Sequence, residues 1–306
     1  MKKDKSLPYH YNSLFELHRL LGLPNPQQPL VSLINNEHNK LVAGKIQSLR
    51  TSAFYKISFK SNLNGKLKYG QHYYDFEDGG MFFVAPNQVT ENGDSNGDFS
   101  GYTLIVHPDF LLTYPLAKKI KQFGFFSYTT NEALHLSTEE KEIIIPIFQN
   151  IEKELQNRID DFSQDVIISQ IETLLNYSNR FYKRQFITRK VVNNDVLEKF
   201  EAFLERDFQE KQLLLHGMPT VQLMAERLNL SSGYLSDMLR AVTGQSAQHH
   251  IHHKLIEIAK EKLSSTNSTV SEIAYELGFE HPQSFSRLFK QKTHQSPVEY
   301  RQSYNL

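Results

Sequence analysis

Residues 270–279 read VSEIAYELGF, followed by SFSRLFK at 284–290 and SPVEYR at 296–301. Thr269 and Glu272 have the spacing of a capping box, which predicts the start of a helix. Gly278 is the residue type that ends a helix in the left-handed conformation, and Pro282 suits the first turn of a new helix. The pattern therefore predicts two short helices joined by a tight turn.

The same order of residues occurs earlier in the chain. Thr220 precedes Thr269 by 49 residues, and Ala225 precedes Ala274 by the same interval. After one extra residue in the second copy, further pairs match at an interval of 50: Ser236 with Ser286, Thr243 with Thr293, and Gln245 with Gln295. An alanine lets two helices approach closely, as a helix-turn-helix unit requires. We expect two such units, at about 219–245 (copy one) and 268–295 (copy two), joined by a connecting helix.

With these motifs in order, the segment 219–304 resembles the tandem helix-turn-helix DNA-binding domain of AraC/XylS-type transcription regulators. The resemblance covers less than a third of the chain, but it rests on long ordered motifs. It implies a sequence-specific DNA-binding transcription regulator with double-stranded promoter DNA as its partner. It also leaves open RNA polymerase, a small-molecule effector and a second copy of the chain as further partners.

A recognition helix lies in the major groove, where its outward side chains contact base edges and phosphates. The candidate DNA-binding residues are the outward positions of the second helix of each copy: Ser232, Gly233, Ser236, Asp237, Arg240, Gln283, Ser284, Arg287 and Lys290. By resemblance, Gln283 and Arg287 occupy base-reading positions. Asp237 stands where copy two has Arg287, and a carboxylate there either repels phosphate or accepts a hydrogen bond from a cytosine amine.

Composition limits the function classes. The 306 residues include 34 Lys+Arg and 34 Asp+Glu, so the chain is not a strongly basic polyanion binder. Residues 217–306 carry nine basic and eight acidic residues, so DNA binding must depend on oriented contacts and on a second protomer. The chain has no cysteine, which excludes disulfides, thiolate metal sites and cysteine nucleophiles. No secretory signal or membrane span is recognisable, and a cytoplasmic location is expected.

The first half of the chain is predicted to form short antiparallel strands. Tyr55, Ile57 and Phe59 alternate with polar residues, as in a half-buried strand. Asn64-Gly65 predicts a hairpin turn. Short strands at this spacing favour a small barrel or sandwich. The family resemblance, much weaker here, implies a cupin-like sensor barrel, and its many aromatic residues suit an apolar or sugar-like effector without identifying a pocket.

Helical patterns follow the strands. Ser137 and Glu140 predict a capping box, and Pro146 is expected to kink or shorten the helix that it opens. In the segment 164–184 an apolar stripe repeats at helical spacing: Ile167, Ile171, Leu174, Ser178 and Phe181. This stripe is either a dimer interface or a helix packed on its own domain. Basic pairs at 183–184 and 189–190 suggest a linker, and Asn194-Asp195 is expected to cap the next helix.

Several other motifs do not indicate a metal site. His249 and His253 lie one helical turn apart, but a polar helix surface near the DNA backbone is preferred over a metal site. The segment 94–98 begins like a calcium loop but lacks the glycine and the glutamate at the required positions. The first half lacks the His-x-His pair of metal-dependent cupins. We therefore expect no metal, no cofactor and no catalytic residues. The alternative is a small-molecule-binding or enzymatic cupin with a C-terminal helical interaction domain.

The expected fold class is α+β with two domains: an N-terminal cupin-like β-barrel with a helical appendage, and an all-α tandem helix-turn-helix domain. The predicted boundaries are 1–135 for the sensor domain, 136–190 for the helical dimerisation region and linker, and 191–306 for the DNA-binding domain.

Overall fold

A computed structural model of the chain describes residues 9–36, 49–61, 63–69, 72–76, 79–88, 90–91, 101–129, 132–157, 160–208, 213 and 217–303. The chain divides into two compact units, Met1–Gln185 and Phe186–Leu306. The finer division at residues 135 and 190 stays a prediction. No helix in the described part of the chain is both long enough and apolar enough to cross a membrane.

The first unit combines strands and helices. Its strands are β1 (Tyr9–Tyr11), β2 (Val31–Asn35), β3 (Leu49–Ser52), β4 (Tyr55–Lys60), β5 (Leu63–Tyr69), β6 (His72–Phe76), β7 (Gly80–Val84), β8 (Thr90–Glu91), β9 (Gly101–Val106) and β10 (Leu134–His135). Its helices are α1 (Leu14–Leu21), α2 (Leu116–Lys119), α3 (Thr138–Gln156) and α4 (Ser163–Thr188), the last of which runs on past the end of this unit.

The main sheet has five antiparallel strands in the order β10-β7-β4-β9-β2. The predicted alternation in β4 is confirmed, because Tyr55, Ile57 and Phe59 are buried and the residues between them are half-buried. Helix α3 packs on this sheet: the ring of Phe148 stacks on that of Tyr102 with centroids 5.4 Å apart.

The cupin-like barrel is not confirmed. The described strands form three separate sheets, of five, three and two strands, and no closed barrel is found among them. The three-stranded sheet has the order β1-β3-β8, and the remaining pair is β5-β6. The coarser expectation, a mixed α and β protein, is met.

Asn64-Gly65 does not form the predicted turn. Both residues lie inside β5, where the pairing shifts between Leu63 opposite Phe76 and Leu67 opposite Tyr74. A glycine inside a strand commonly marks such a bulge, because it has no side chain to pack and tolerates irregular backbone. The connection between β5 and β6 falls at 70–71, outside the described residues, as does the acidic segment 94–98.

The capping box of α3 is confirmed: the Ser137 hydroxyl accepts from the Glu140 amide at 3.3 Å, and the Glu140 carboxylate accepts from the Ser137 amide at 3.0 Å. Pro146 does not end this helix, which continues to Gln156. The expected shortening is therefore wrong.

The apolar stripe of α4 is covered within a single chain. Ile171, Leu174 and Ser178 are fully buried, and Ile167 and Phe181 are at most 5% exposed. These residues form part of the core of the first unit, so of the two interpretations the structure supports the intramolecular one. A dimer interface must use other surfaces.

The linker predicted at 183–190 is helical instead, because α4 continues to Thr188 and the next helix begins at Lys190. Arg184 belongs to the folded structure: its guanidinium donates to both carboxylate oxygens of Glu140, at 3.0 and 2.5 Å. The sequence shows the basic pair but not the distant carboxylate that neutralises it.

The second unit is helical in its described part. Its helices are α5 (Lys190–Asp207), α6 (Val221–Arg227), α7 (Ser232–Thr243), α8 (Ala247–Ser265), α9 (Val270–Glu276), α10 (Pro282–Thr293) and α11 (Pro297–Gln302). Because α5 already begins at Lys190, Asn194 and Asp195 lie inside it, and the predicted cap there is wrong. Asp195 instead pairs with Lys199 one turn later, at 2.7 Å.

Candidate nucleic-acid interface

Each copy of the repeat folds into two helices with matching ends. In copy one, the Thr220 hydroxyl accepts from the Leu223 amide at 3.2 Å, and the Ser231 hydroxyl caps α7 by accepting from the Tyr234 amide at 3.1 Å. In copy two, the predicted capping box is present, with the Thr269 hydroxyl accepting from the Glu272 amide at 3.1 Å. Hydrogen bonds from Thr269 to its carboxylate hold the pKa of Glu272 below its usual value.

The turns between the paired helices are also equivalent. Asn229 has φ 56° and Gly278 has φ 81°, so both adopt the left-handed conformation that is predicted for Gly278. The turn of copy one is closed by the Leu230 amide donating to the Ala225 carbonyl at 2.9 Å, and that of copy two by the Phe279 amide donating to the Ala274 carbonyl at 3.0 Å. The two copies therefore join their paired helices through turns of the same kind.

The second helices, α7 and α10, present one buried face and one outward face. Tyr234, Leu235, Met238 and Leu239 are buried in α7, and Phe285 and Phe289 are buried in α10. The connecting helix α8 lies between the two copies in the chain and is predicted to carry an apolar stripe at 251, 255, 258, 259 and 263. Ile251, Leu255, Ala259 and Leu263 are buried, whereas Ile258 is half-buried. This common core fixes which side chains of each second helix face away from the domain.

In copy two, the sequence-predicted site residues are all outward. Gln283, Ser284, Arg287 and Lys290 are exposed on α10. Within the described residues, no hydrogen bond or ion pair engages the side chains of Gln283, Arg287 or Lys290. Their donors are therefore available to a ligand outside the domain.

In copy one, the predicted residues are less accessible. Ser232, Gly233, Ser236 and Asp237 are half-buried, and only Arg240 is exposed. The guanidinium of Arg240 donates to the carboxylate of Asp237 at 2.6 Å, so the two charges neutralise each other on the helix surface. Sequence spacing of three residues permits this pair, but it does not show that the pair forms.

Most other cations of the second unit have structural partners. Arg227 pairs with Asp207, Lys254 with Glu205 at 2.5 Å and Lys262 with Glu276 at 2.9 Å. Arg301 donates to the main-chain carbonyls of Leu263 and Ser268, which ties α11 to the end of α8.

The unpaired positive charge of the second unit is therefore uneven. Arg287, Lys290 and Lys292 all lie on α10, and none of them enters an ion pair within the described part of the chain. Counting charges along the sequence indicates a nearly balanced domain, whereas the structure concentrates the available cations on the second helix of copy two.

The histidine run on α8 is engaged by neighbouring polar groups. His250 lies 2.9 Å from the Thr243 hydroxyl and packs edge-on against the ring of Phe200, and burial lowers its pKa. Burial, followed by the charge of Lys292, also lowers the pKa of His252. No group of three metal-ligating side chains is found among the described residues. His250 is thus part of the packing between helices rather than a solvated surface residue.

Comparisons with known proteins agree with this architecture. A protein-family model described as a helix-turn-helix domain matches residues 224–303. An uncharacterized HTH-type transcriptional regulator of Staphylococcus aureus (strain MSSA476) is 29% identical over 138 residues, which are 45% of this chain and 17% of that relative. The chain thus spans only about a sixth of the length of that relative.

Two further proteins are similar. The uncharacterized HTH-type transcriptional regulator YfiF of Bacillus subtilis (strain 168) is 22% identical over 84% of this chain and 79% of its own length. The solved C-terminal domain of the two-component response regulator yesN from Fusobacterium nucleatum is 32% identical, covers 35% of this chain and 98% of its own, and has a TM-score of 0.31. Residues 224–303, which include most of copy one and all of copy two, form a helix-turn-helix domain of the AraC type.

Proposed function

We propose that this protein is a DNA-binding transcription regulator of the AraC type that places α7 and α10 in successive major-groove segments of promoter DNA. One observation carries the proposal: α10 displays a row of exposed polar and cationic side chains, and its cations enter no ion pair within the described residues. Exposed cations on one face of a helix-turn-helix unit are the expected footprint of a phosphate and base contact surface.

Within copy two, the roles divide along the helix. Gln283 and Arg287 lie in the first half of α10 and are assigned to base edges, since Gln pairs bidentately with adenine and Arg with guanine. Ser284 is assigned to a base or phosphate nearby. Lys290, one turn further on, is assigned to phosphate, for which a compact point charge is sufficient.

Copy one adds almost no net charge to the proposed DNA-binding surface. The Asp237–Arg240 pair presents acceptors and donors side by side but almost no net charge. Ser232, Gly233 and Ser236 are small, and their half-buried positions allow the helix backbone to approach DNA closely. We assign most of the electrostatic attraction to copy two and propose that both copies take part in base readout.

The first unit is assigned a sensory role, in which a small effector alters DNA binding. The finer proposals for this unit are a cupin-like sensor fold and a part in forming a homodimer. A homodimer would supply the second DNA-binding domain that a nearly neutral domain needs. Because the α4 stripe is buried in the monomer, a dimer must form through surfaces other than this stripe. RNA polymerase remains a proposed further partner of the assembled regulator.

Selection from a random duplex library by the full chain tests the proposal, with fluorescence anisotropy on the enriched site at several salt concentrations. The expected result is a motif with two contacted segments about 10 bp apart, bound about 10³-fold or more tightly than random DNA. A folded protein that enriches no motif, or binds all duplexes equally, would contradict it.

A further inference from the structure

The first unit contains a cavity of about 170 Å³. It lies where α1, the segment 23–28, β2 and the last turns of α3 meet, and it opens to solvent. A cavity of about 150 Å³ is large enough to hold benzene. The space therefore suits an organic molecule of similar size.

His18 fixes the polar wall of this cavity. The side chain is 6% exposed, with Nδ1 2.5 Å from the Pro24 carbonyl oxygen and Nε2 2.8 Å from the Ser32 hydroxyl. A carbonyl oxygen only accepts, so Nδ1 carries the proton and donates. In the neutral ring Nε2 is then the acceptor, and the Ser32 hydroxyl proton points toward it. The Ser32 oxygen can therefore only accept hydrogen bonds from a ligand, through its lone pairs.

Glu152 supplies a negative charge to the wall of this cavity. It is half-buried on α3 and lines the same cavity. Its carboxylate has no hydrogen bond or ion pair within the described residues. A carboxylate at a partly apolar wall gains most from a cationic donor, because the surrounding apolar groups reduce its access to water.

Apolar residues form part of the remaining walls, beside Asn25, Gln27, Gln28 and Gln156. Val31, Ile34 and Leu155 line the cavity and are 1%, 4% and 8% exposed. A ligand that fits therefore combines an apolar body with one strongly donating, positively charged group. An anion would be repelled by Glu152, and a neutral alcohol would leave the carboxylate without a counter-charge.

We propose that this cavity is a binding site for a small primary organic ammonium ion, whose nitrogen donates to the Glu152 carboxylate and the Ser32 oxygen. The apolar body of the ligand lies against Val31, Ile34 and Leu155. His18 acts as a positioning residue that orients Ser32 as an acceptor. This binding does not depend on the DNA-binding function, and it is measured without DNA.

The test compares three probes of equal length by isothermal titration of the full chain at neutral pH and constant ionic strength: n-butylammonium, n-butanol and butyrate. The expected result is saturable binding of n-butylammonium, with affinity at least about 10-fold higher than that of either other probe. A tenfold difference corresponds to 1.4 kcal/mol, near the lower end of the contribution of a charged hydrogen bond. Equal binding of all three probes, or no binding of n-butylammonium, would overturn the proposal.

Variants locate the site. Glu152→Gln is expected to weaken n-butylammonium binding at least about 10-fold while leaving binding of n-butanol unchanged. Glu142→Gln on the same helix removes the same charge at an exposed position that does not line the cavity, and it should have no effect. An equal loss in both variants would show a general charge effect and refute the site. If the Glu152 variant fails to fold, the comparison of the three probes on the unaltered chain still tests the proposal.

Discussion

Arg287 and Lys290 lie one turn apart on α10, and both are exposed, but we expect them to act differently on DNA. Arg287→Ala should cost about 1–3 kcal/mol on the best site and flatten the preference at one base position, because a bidentate base contact is lost. Lys290→Ala should weaken binding to all sequences about equally and reduce the salt slope by roughly one unit. Anisotropy titrations against a panel of single-base substitutions, at several salt concentrations, measure both effects.

The reverse outcome would change the orientation assigned to α10 in the groove. If the Lys290 variant loses base preference and the Arg287 variant does not, then α10 enters the groove rotated relative to the orientation assigned above. Loss of preference in neither variant would remove α10 from base readout altogether.

Asp237 is expected to restrain nonspecific binding. In the folded domain its carboxylate accepts from the Arg240 guanidinium at 2.6 Å, so a phosphate must compete with Asp237 for Arg240. Asp237→Asn removes that counter-charge. The affinity for random duplexes should rise about 3-fold to 10-fold, and the salt slope should steepen by roughly one unit, as expected for one added phosphate contact.

Glu226→Gln is the matched control for Asp237→Asn. It removes one negative charge from the same domain, but at an exposed position on α6 whose carboxylate accepts from Gln222. Its effect on random-duplex binding should be clearly smaller. Equal effects of the two variants would show that net charge alone, and not release of Arg240, governs the change.

The two turns that follow helices at Gly244 and Gly278 allow a matched comparison at the level of the element. Both glycines have φ near 80°, which is strained for a side chain by roughly 1–2 kcal/mol. A Cβ at Gly278 would lie 2.8 Å from the Met218 amide nitrogen, whereas a Cβ at Gly244 would meet nothing within 4 Å. In copy two, His294 occupies the turn equivalent to Gly244 with φ 64°, so a side chain is tolerated there.

Gly278→Ala is therefore expected to destabilise the domain more than Gly244→Ala does, by about 1–3 kcal/mol for the backbone clash. Chemical denaturation of the two variants, followed by circular dichroism, measures the difference. Equal losses would mean that the backbone near Met218 yields to the new methyl group.

Helix α4 is expected to behave as part of the core. Ile171 is fully buried, so Ile171→Ala should lower the free energy of unfolding by about 2–5 kcal/mol. Val166, on the same helix, is 41% exposed, and Val166→Ala should change stability by no more than about 0.5 kcal/mol. Denaturation measures stability, and light scattering measures mass. A stable, folded Ile171→Glu variant that is half the mass of the unaltered protein would restore the dimer interpretation.

The elements that the sequence predicts correctly are those whose signals lie close together in the chain. The caps at Ser137 and Thr269 and the left-handed turn at Gly278 each depend on residues within one turn of a helix. The repeat adds a second, independent occurrence of the same signals. For these reasons the two helix-turn-helix units and the outward face of α10 follow from the amino-acid sequence alone.

The elements that the sequence misses depend on distant partners. The basic pair containing Arg184 suggests a linker, but in the folded chain Arg184 forms an ion pair with Glu140. Asn64-Gly65 suggests a turn, but the pairing of β5 with β6 places both residues inside a strand. Similarly, the neutralised Arg240 and the cavity at His18 require side chains to be brought together by the fold. Local spacing therefore predicts which side chains of α10 face outward, but not which charges in the domain are neutralised by a partner.

At the scale of the whole molecule, the second unit begins earlier than sequence motifs suggest. The sequence predicts a DNA-binding domain at 191–306 with its first helix capped at Asn194-Asp195, whereas the compact unit is Phe186–Leu306. Phe186 is 3% exposed, and its ring lies 5.0 Å from that of Tyr234 in copy one. The side chain of Asn193, which is 2% exposed, donates to the Phe186 carbonyl. A fragment that starts at 195 loses both contacts and the first turn of α5.

We therefore expect the fragment 186–306 to unfold at a temperature at least about 8 °C higher than the fragment 195–306. Removing a buried phenylalanine side chain costs about 3–5 kcal/mol, and 1 kcal/mol shifts the midpoint of a domain of this size by roughly 4–8 °C. Below both midpoints the two fragments should select the same DNA motif, because α7 and α10 lie inside both. Thermal unfolding by circular dichroism and anisotropy on the selected site measure the two properties. Equal midpoints would show that the contacts of Phe186 and Asn193 add nothing to the stability of the DNA-binding unit, and different motifs would show that residues 186–194 take part in choosing the site.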